Sequence, residues 1–153
     1  IWAVLHAADT LQRLTYSLTA GFLGRLCLSG EIDSLDSGQW SLVKDAIRYY
    51  ELVAPIIKNG KSRIYQQIDS AWRYPKGTQA VVRLLENGDR ILVVLHTFAA
   101  PLPTEIILLL PDGNWQINSA FPGIPNSAEI TANQLRIKPS SEFEGLVLCL
   151  GRN

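Results

Sequence analysis

A single short apolar run, Leu26 to Leu28, lies between two stretches of helical spacing and is bounded by Gly24 and Gly30. Such flanks mark a strand buried on both faces, the kind that sits in a parallel sheet between helices. One strand alone leaves its backbone donors and acceptors without partners. The missing strands are therefore expected from upstream sequence or from another chain.

The helices on either side are readable from their caps and apolar faces. Asp9 followed by Gln12 is a capping arrangement, and Leu11, Leu14, Thr15 and Leu18 share a face, predicting a helix from about Thr10 to Ala20. A second helix follows Asp36 or Ser37 as cap, with Val43, Ala46, Ile47, Tyr50 and Val53 at helical spacing. Pro55 has no amide hydrogen and disfavours helix at Ala54, which predicts a kink there or fraying towards Asn59 and Gly60.

After Lys61 the period changes. Gln79–Leu85 and Arg90–Phe98 are rich in Val, Ile and Leu and are joined by Asn87-Gly88, a pair that takes the positive φ angles of a tight hairpin. Glu105–Leu110 and Trp115–Asn118 are joined through Pro111-Asp112-Gly113. Further strands are predicted at Glu129–Thr131, Leu135–Ile137 and Gly145–Leu150. The fold class is α+β: a helix–strand–helix unit over residues 1–60, a connection over 61–77, and a small antiparallel β-sandwich over 78–153.

Composition narrows the function classes. The 153 residues are 47% hydrophobic, enough for a real core, and 14 basic residues balance 14 acidic ones. No net field draws the chain to nucleic acid or an anionic membrane. The longest apolar run, Ile106–Leu110, is far short of the ~20 residues of a membrane-spanning helix. Cys27 and Cys149 sit in apolar runs far apart, as free thiols in a reducing, cytoplasmic setting do. The chain has no Met and opens on Ile1-Trp2-Ala3-Val4-Leu5, which predicts a piece of a longer polypeptide.

Few residues suggest chemistry. His6 has no Cys or Asp at metal spacing and His96 lies in an apolar strand, so both read as structural, with no metal site and no cofactor loop. Ser29 lacks the glycine two positions earlier that a nucleophile elbow needs. A retaining glycosidase needs two carboxyl groups about 5 to 5.5 Å apart. Glu31, Asp33 and Asp36 are crowded enough to raise that chemistry, but their spacing fits a polar loop ending in a helix cap. Trp40, Trp72 and Trp115 offer faces for stacking on sugar rings, although tryptophans in such positions more often fill a core or an interface.

The runs DTLQRLTYSLTAGFLGRLCLSGEI and QWSLVKDAIRYYELVAPIIKNG resemble, in order, the C-terminal part of bacterial α-galactosidases of glycoside hydrolase family 36, the melibiase group. The stretch YPKGTQAVVRLLENGDRILVVLHTF is similar to the start of the antiparallel domain behind their barrel. The resemblance implies that Thr10–Gly24 is the seventh helix of a (β/α)₈ barrel, Leu26–Gly30 its eighth strand and Ser37–Lys58 its last helix. Ser29, Gly30 and Glu31 then stand at the mouth of the pocket, where such barrels hold their sites; Trp72 is a separate sugar-contact candidate, read from Arg73, Tyr74 and Lys76 beside it. Many relatives carry Asp where Glu31 stands, so Glu31 is one methylene longer.

The same resemblance implies an aspartate nucleophile and an aspartate acid/base on earlier strands, so no catalytic residue is assigned within this chain. Its implied partner is an α-galactoside or oligosaccharide bound by the parent enzyme, with no nucleic acid or membrane, and the exposed apolar surface of a partial barrel predicts a homo-oligomer. The alternative is a non-catalytic carbohydrate-binding or oligomerisation sandwich.

Overall fold

The computed structural model describes residues 1–69 and 73–152. Helix α1 spans Leu11–Gly21 and helix α2 spans Ser37–Asn59. The cap expected from Asp9 and Gln12 does not form: Thr10 caps α1, its Oγ1 accepting from the Arg13 N–H at 3.2 Å. Asp9 instead accepts from the His6 N–H, and Gln12 Nε2 donates to the Glu142 carbonyl at 2.8 Å. Asp9 is engaged by its own loop and Gln12 by a partner 130 residues away, which spacing along the chain does not reveal.

Asp36 and Gln39 form a reciprocal capping box at the start of α2. The helix then continues through Pro55 to Asn59. Proline leaves the Glu51 carbonyl without its usual helical donor, but Glu51 and Pro55 are both exposed, so the carbonyl is not stranded in the core.

The run at Leu26–Leu28 becomes strand β2, Cys27–Gly30, and it has a partner within the chain. Strand β1, Trp2–Leu5, pairs with it in parallel, in register from Trp2↔Cys27 to Leu5↔Gly30. A helix–strand–helix expectation is thus corrected to β1–α1–β2–α2. Four apolar residues without flanking turn signals carry no period that distinguishes strand from helix. Along β1 the burial alternates: Ala3 and Leu5 face the helices, while Trp2 is 70% exposed and Val4 is exposed. The register puts Cys27 and Ser29 beside Trp2 and Val4, on the face that the helices do not cover.

The remaining strands are β3 Lys61–Ile68, β4 Gly77–Leu84, β5 Arg90–Thr97, β6 Ile106–Leu109, β7 Trp115–Phe121, β8 Ala128–Thr131, β9 Gln134–Ile137 and β10 Gly145–Arg152. They form two antiparallel sheets, ordered β3-β4-β5-β10-β7 and β6-β9-β8. The Asn87-Gly88 pair turns the β4–β5 hairpin, Gly88 at φ 75°. Pro111-Asp112-Gly113 links β6 to β7, which belong to different sheets. Strand β3 falls in the stretch read as a connection: its positions are mostly exposed and polar, so this edge strand carries no apolar alternation.

Two cores hold three layers together. Leu14, Leu18 and Phe22 of the α1 region and Val43, Ala46, Val53 and Ile56 of α2 pack on Leu92, Val94, Phe121, Val147 and Cys149. The opposite faces of β5 and β10 present Ile91, Val93, Leu95, Leu146, Leu148 and Leu150 to Ile106, Leu108, Leu135 and Ile137 of the smaller sheet. Burial on both faces explains why β5 and β10 read as unbroken apolar runs. Among the described residues, no helix is long and apolar enough to cross a membrane.

Candidate functional site

The C-terminal ends of β1 and β2 lie side by side, Leu5 opposite Gly30. Gly30 turns the chain with φ 98°, and a Cβ there would overlap the Leu5 carbonyl oxygen, so this approach requires glycine. Glu31 follows, its backbone N–H donating to that same carbonyl at 2.8 Å. Its side chain reaches the loop after β1, where Oε2 accepts from the Ala7 N–H at 3.1 Å and lies 3.6 Å from His6 Nδ1. The His6 and Glu31 side chains are 52% and 57% exposed, so solvent screens this ion pair and its net stabilisation is small.

The loop after β1 is closed locally and from below. The His6 N–H donates to Asp9 Oδ2 and the Asp9 N–H to the His6 carbonyl, each at 3.0 Å. Gln39, from the first turn of α2, donates through Nε2 to the Ala7 carbonyl at 3.0 Å and the Asp9 carbonyl at 2.9 Å. Its Oε1 meanwhile accepts from the Asp36 N–H at 2.9 Å, so every polar atom of this buried amide, only 4% exposed, is engaged. A strand end, a loop and a helix cap are thereby fixed against one another.

The predicted site residues fall as follows. Ser29 is half-buried opposite Val4, Gly30 makes the turn, and Glu31 holds the loop after β1. Trp72 lies outside the described residues. Asp36 is the helix cap, and Asp33 sits exposed in the short 3₁₀ turn Ile32–Ser34. Trp115 is 5% exposed, its Nε1 donating to the Pro111 carbonyl at 2.8 Å and its ring under the Arg152 guanidinium, so it is core. Trp40 is half-buried against the helical core.

The two histidines differ. His96 is buried, 3.3 Å from the Tyr16 carbonyl and edge-on to the Tyr16 ring, and burial pulls its pKa down to about 4. His6 is exposed at a strand end, and neither it nor Gln39 stood out in the sequence. The signal that points to His6 is its place directly after the apolar run Trp2–Leu5.

Comparison with known proteins gives a fold. No family model matches the chain, and no curated protein matches it by sequence. Among solved structures, the GH36 α-galactosidase AgaA from Geobacillus stearothermophilus, in a complex with raffinose, is similar to the whole chain with a TM-score of 0.65 at 14% identity. The galactosidase domain of the α-galactosidase–sucrose kinase AgaSK matches 95% of the chain with a TM-score of 0.61 at 12% identity. An α-amylase from H. orenii matches 94% with a TM-score of 0.55 at 12% identity. The chain spans about a fifth of the α-galactosidase structures, 21% of AgaA and 20% of the AgaSK domain, and 36% of the amylase. Over its full length it therefore has the fold of a portion of the GH36 α-galactosidases, the family that its sequence resembles.

Proposed function

We propose that this chain is the barrel-closing and sandwich part of a retaining α-galactosidase, with the catalytic carboxylates on a portion of the parent outside these residues. The observation that carries the reading is the β1–β2 pair, helix-covered on one face, with Trp2 and Val4 exposed and Cys27 and Ser29 half-buried on the other. Two successive βα units with one bare strand face are what the last eighths of a (β/α)₈ barrel look like without their neighbours. Structures with this fold have been solved with raffinose and stachyose, which supports an oligosaccharide substrate.

In this reading the parent cleaves a terminal α-galactoside through a covalent glycosyl intermediate, one carboxyl group attacking and the other moving the proton. The chain contributes the wall of the pocket at the ends of β1 and β2, where Ser29, Gly30 and Glu31 stand. Its sandwich braces α1 and α2 through the shared core. The two unpaired thiols, Cys27 and Cys149, suit a reducing cytoplasm.

The test is hydrolysis of 4-nitrophenyl α-galactoside by the product of the complete reading frame and by the 153-residue chain alone. Turnover by the first and none by the second supports the reading; turnover by the short chain would move catalysis to Glu31, Asp33 and Asp36. A second reading, self-association through the sandwich, is favoured by the long exposed edge strand β3 and by the exposed Ile64, Ile107 and Leu109. Sedimentation of the complete product distinguishes it, since association without sugar is then expected.

A further inference from the structure

We propose that His6 is a substrate-contacting residue that recognises a sugar hydroxyl, and that Glu31 is the positioning residue that aims it. The inference rests on the glycosidase reading above and goes beyond it by naming the side chain that meets the ligand.

Placement is the first ground. Exposed and buried positions alternate along β1, with Trp2 and Val4 on the bare face, and His6 is the next position on that face. In a closed barrel that face is the interior, and its C-terminal end is the floor and wall of the pocket. His6 also follows Leu5, whose register partner Gly30 precedes Glu31, so the two side chains arise from adjacent strand ends at one level.

The second ground is that the imidazole lies beside a carboxylate and one of its nitrogens is left over. Nδ1 faces the Glu31 carboxylate at 3.6 Å, whereas Nε2 has no partner among the described residues. Depending on the tautomer, an imidazole whose Nε2 is free can accept a hydroxyl proton or donate to a hydroxyl oxygen. Both suit a sugar hydroxyl, which donates and accepts.

Rigidity is the third. Glu31 is tied to β1 by its own N–H and by the Ala7 N–H on its carboxylate, and the His6–Asp9 turn is held underneath by buried Gln39. Gln39 fixes the backbone at Ala7 and Asp9, and so the strand end from which the His6 side chain projects. Preorganisation of this kind is what a recognition group requires, because misplacement by an ångström weakens binding and rate together.

The experiment uses the product of the complete reading frame, with 4-nitrophenyl α-galactoside and its monodeoxy analogues as probes. His6→Ala is expected to raise KM about tenfold, the size of one lost hydrogen bond, with kcat changed by less than about twofold. His6→Gln, which keeps a polar atom near the Nε2 position, should recover part of that loss. For one monodeoxy substrate, wild type and His6→Ala should have the same KM, which identifies the hydroxyl. Glu31→Gln keeps an acceptor for the Ala7 N–H and should raise KM less than His6→Ala does. Thermal midpoints of all three variants should stay with the wild type.

An unchanged KM in His6→Ala, while the wild type turns over, would overturn this inference and leave the functional reading standing. A KM rise that no deoxy substrate abolishes, or that His6→Gln does not ease, would make His6 structural and would also overturn it. No turnover by the wild type would overturn both.

Discussion

The Gln39 side chain donates to the carbonyl of Asp9 at 2.9 Å across thirty residues of chain, tying the first turn of α2 to the loop after β1. Replacing Gln39 with Leu strands the carbonyls of Ala7 and Asp9 and removes half of the capping box. A loss of ~1 to 2 kcal/mol is expected, from two hydrogen bonds to part-buried carbonyls plus half of the cap. Urea unfolding of the chain and its Gln39→Leu variant measures it, and a loss below about 0.5 kcal/mol would show that water replaces the amide.

Arg83 of β4 does a comparable job at the other end of the helices. It donates to the Leu23 carbonyl at 2.8 Å, the Ile57 carbonyl at 3.2 Å and Ser62 Oγ at 2.9 Å, joining the ends of α1 and α2 to the sheet. Partial burial lowers its pKa, yet a guanidinium remains charged at neutral pH. Arg83→Lys cannot serve three acceptors in this fork, so it should lose nearly as much as Arg83→Ala, ~2 kcal/mol in either case. Full recovery of the thermal midpoint by lysine would contradict that.

His96 makes stability depend on pH. Its folded pKa is about 4 because burial disfavours the charged ring, against an ordinary 6.5 when unfolded. Between these values the unfolded chain binds a proton that the folded chain does not. The contribution is therefore complete above about pH 6.5 and is lost as pH falls through about 4, on the order of 3 kcal/mol in all. Denaturant midpoints at neutral and mildly acidic pH should fall less steeply for His96→Phe than for the wild type, and equal slopes would assign the acid sensitivity elsewhere.

The bare face of β1 predicts association of the short chain. Trp2 and Val4 are exposed on a face that a barrel would cover. Changing them to Ser and Thr should reduce self-association of the 153-residue chain in sedimentation without lowering its unfolding midpoint by more than about 0.5 kcal/mol. Association unaffected by both changes would place the sticky surface on the sandwich edge instead.

Much of this architecture was legible where one element carries its own signal. Helix α2 announces itself through a cap at Asp36 or Ser37 and an apolar stripe, and β5 and β10 through unbroken Val–Leu runs. What stayed hidden depends on distant partners. β1 is only four apolar residues, recognisable once Cys27–Gly30 lies beside it, and β3 is an exposed edge whose polar positions show no alternation. The site divides the same way. Gly24 and Gly30 mark a strand end that presents Ser29 and Glu31, whereas His6 gains its meaning from its contact with Glu31, and Gln39 from contacts with Ala7 and Asp9, all far along the chain. Spacing along a chain cannot encode those.

The most direct test of the account is hydrogen exchange of the β1 and β2 amides in the isolated chain and in the complete product. Both strands are bonded only to each other among the described residues, so as part of a barrel each should gain a further partner. The account predicts rapid exchange at several amides of Trp2–Leu5 and Cys27–Gly30 in the short chain, with strong protection of the same amides in the complete product. Equal protection in both, with the short chain a monodisperse monomer, would contradict it.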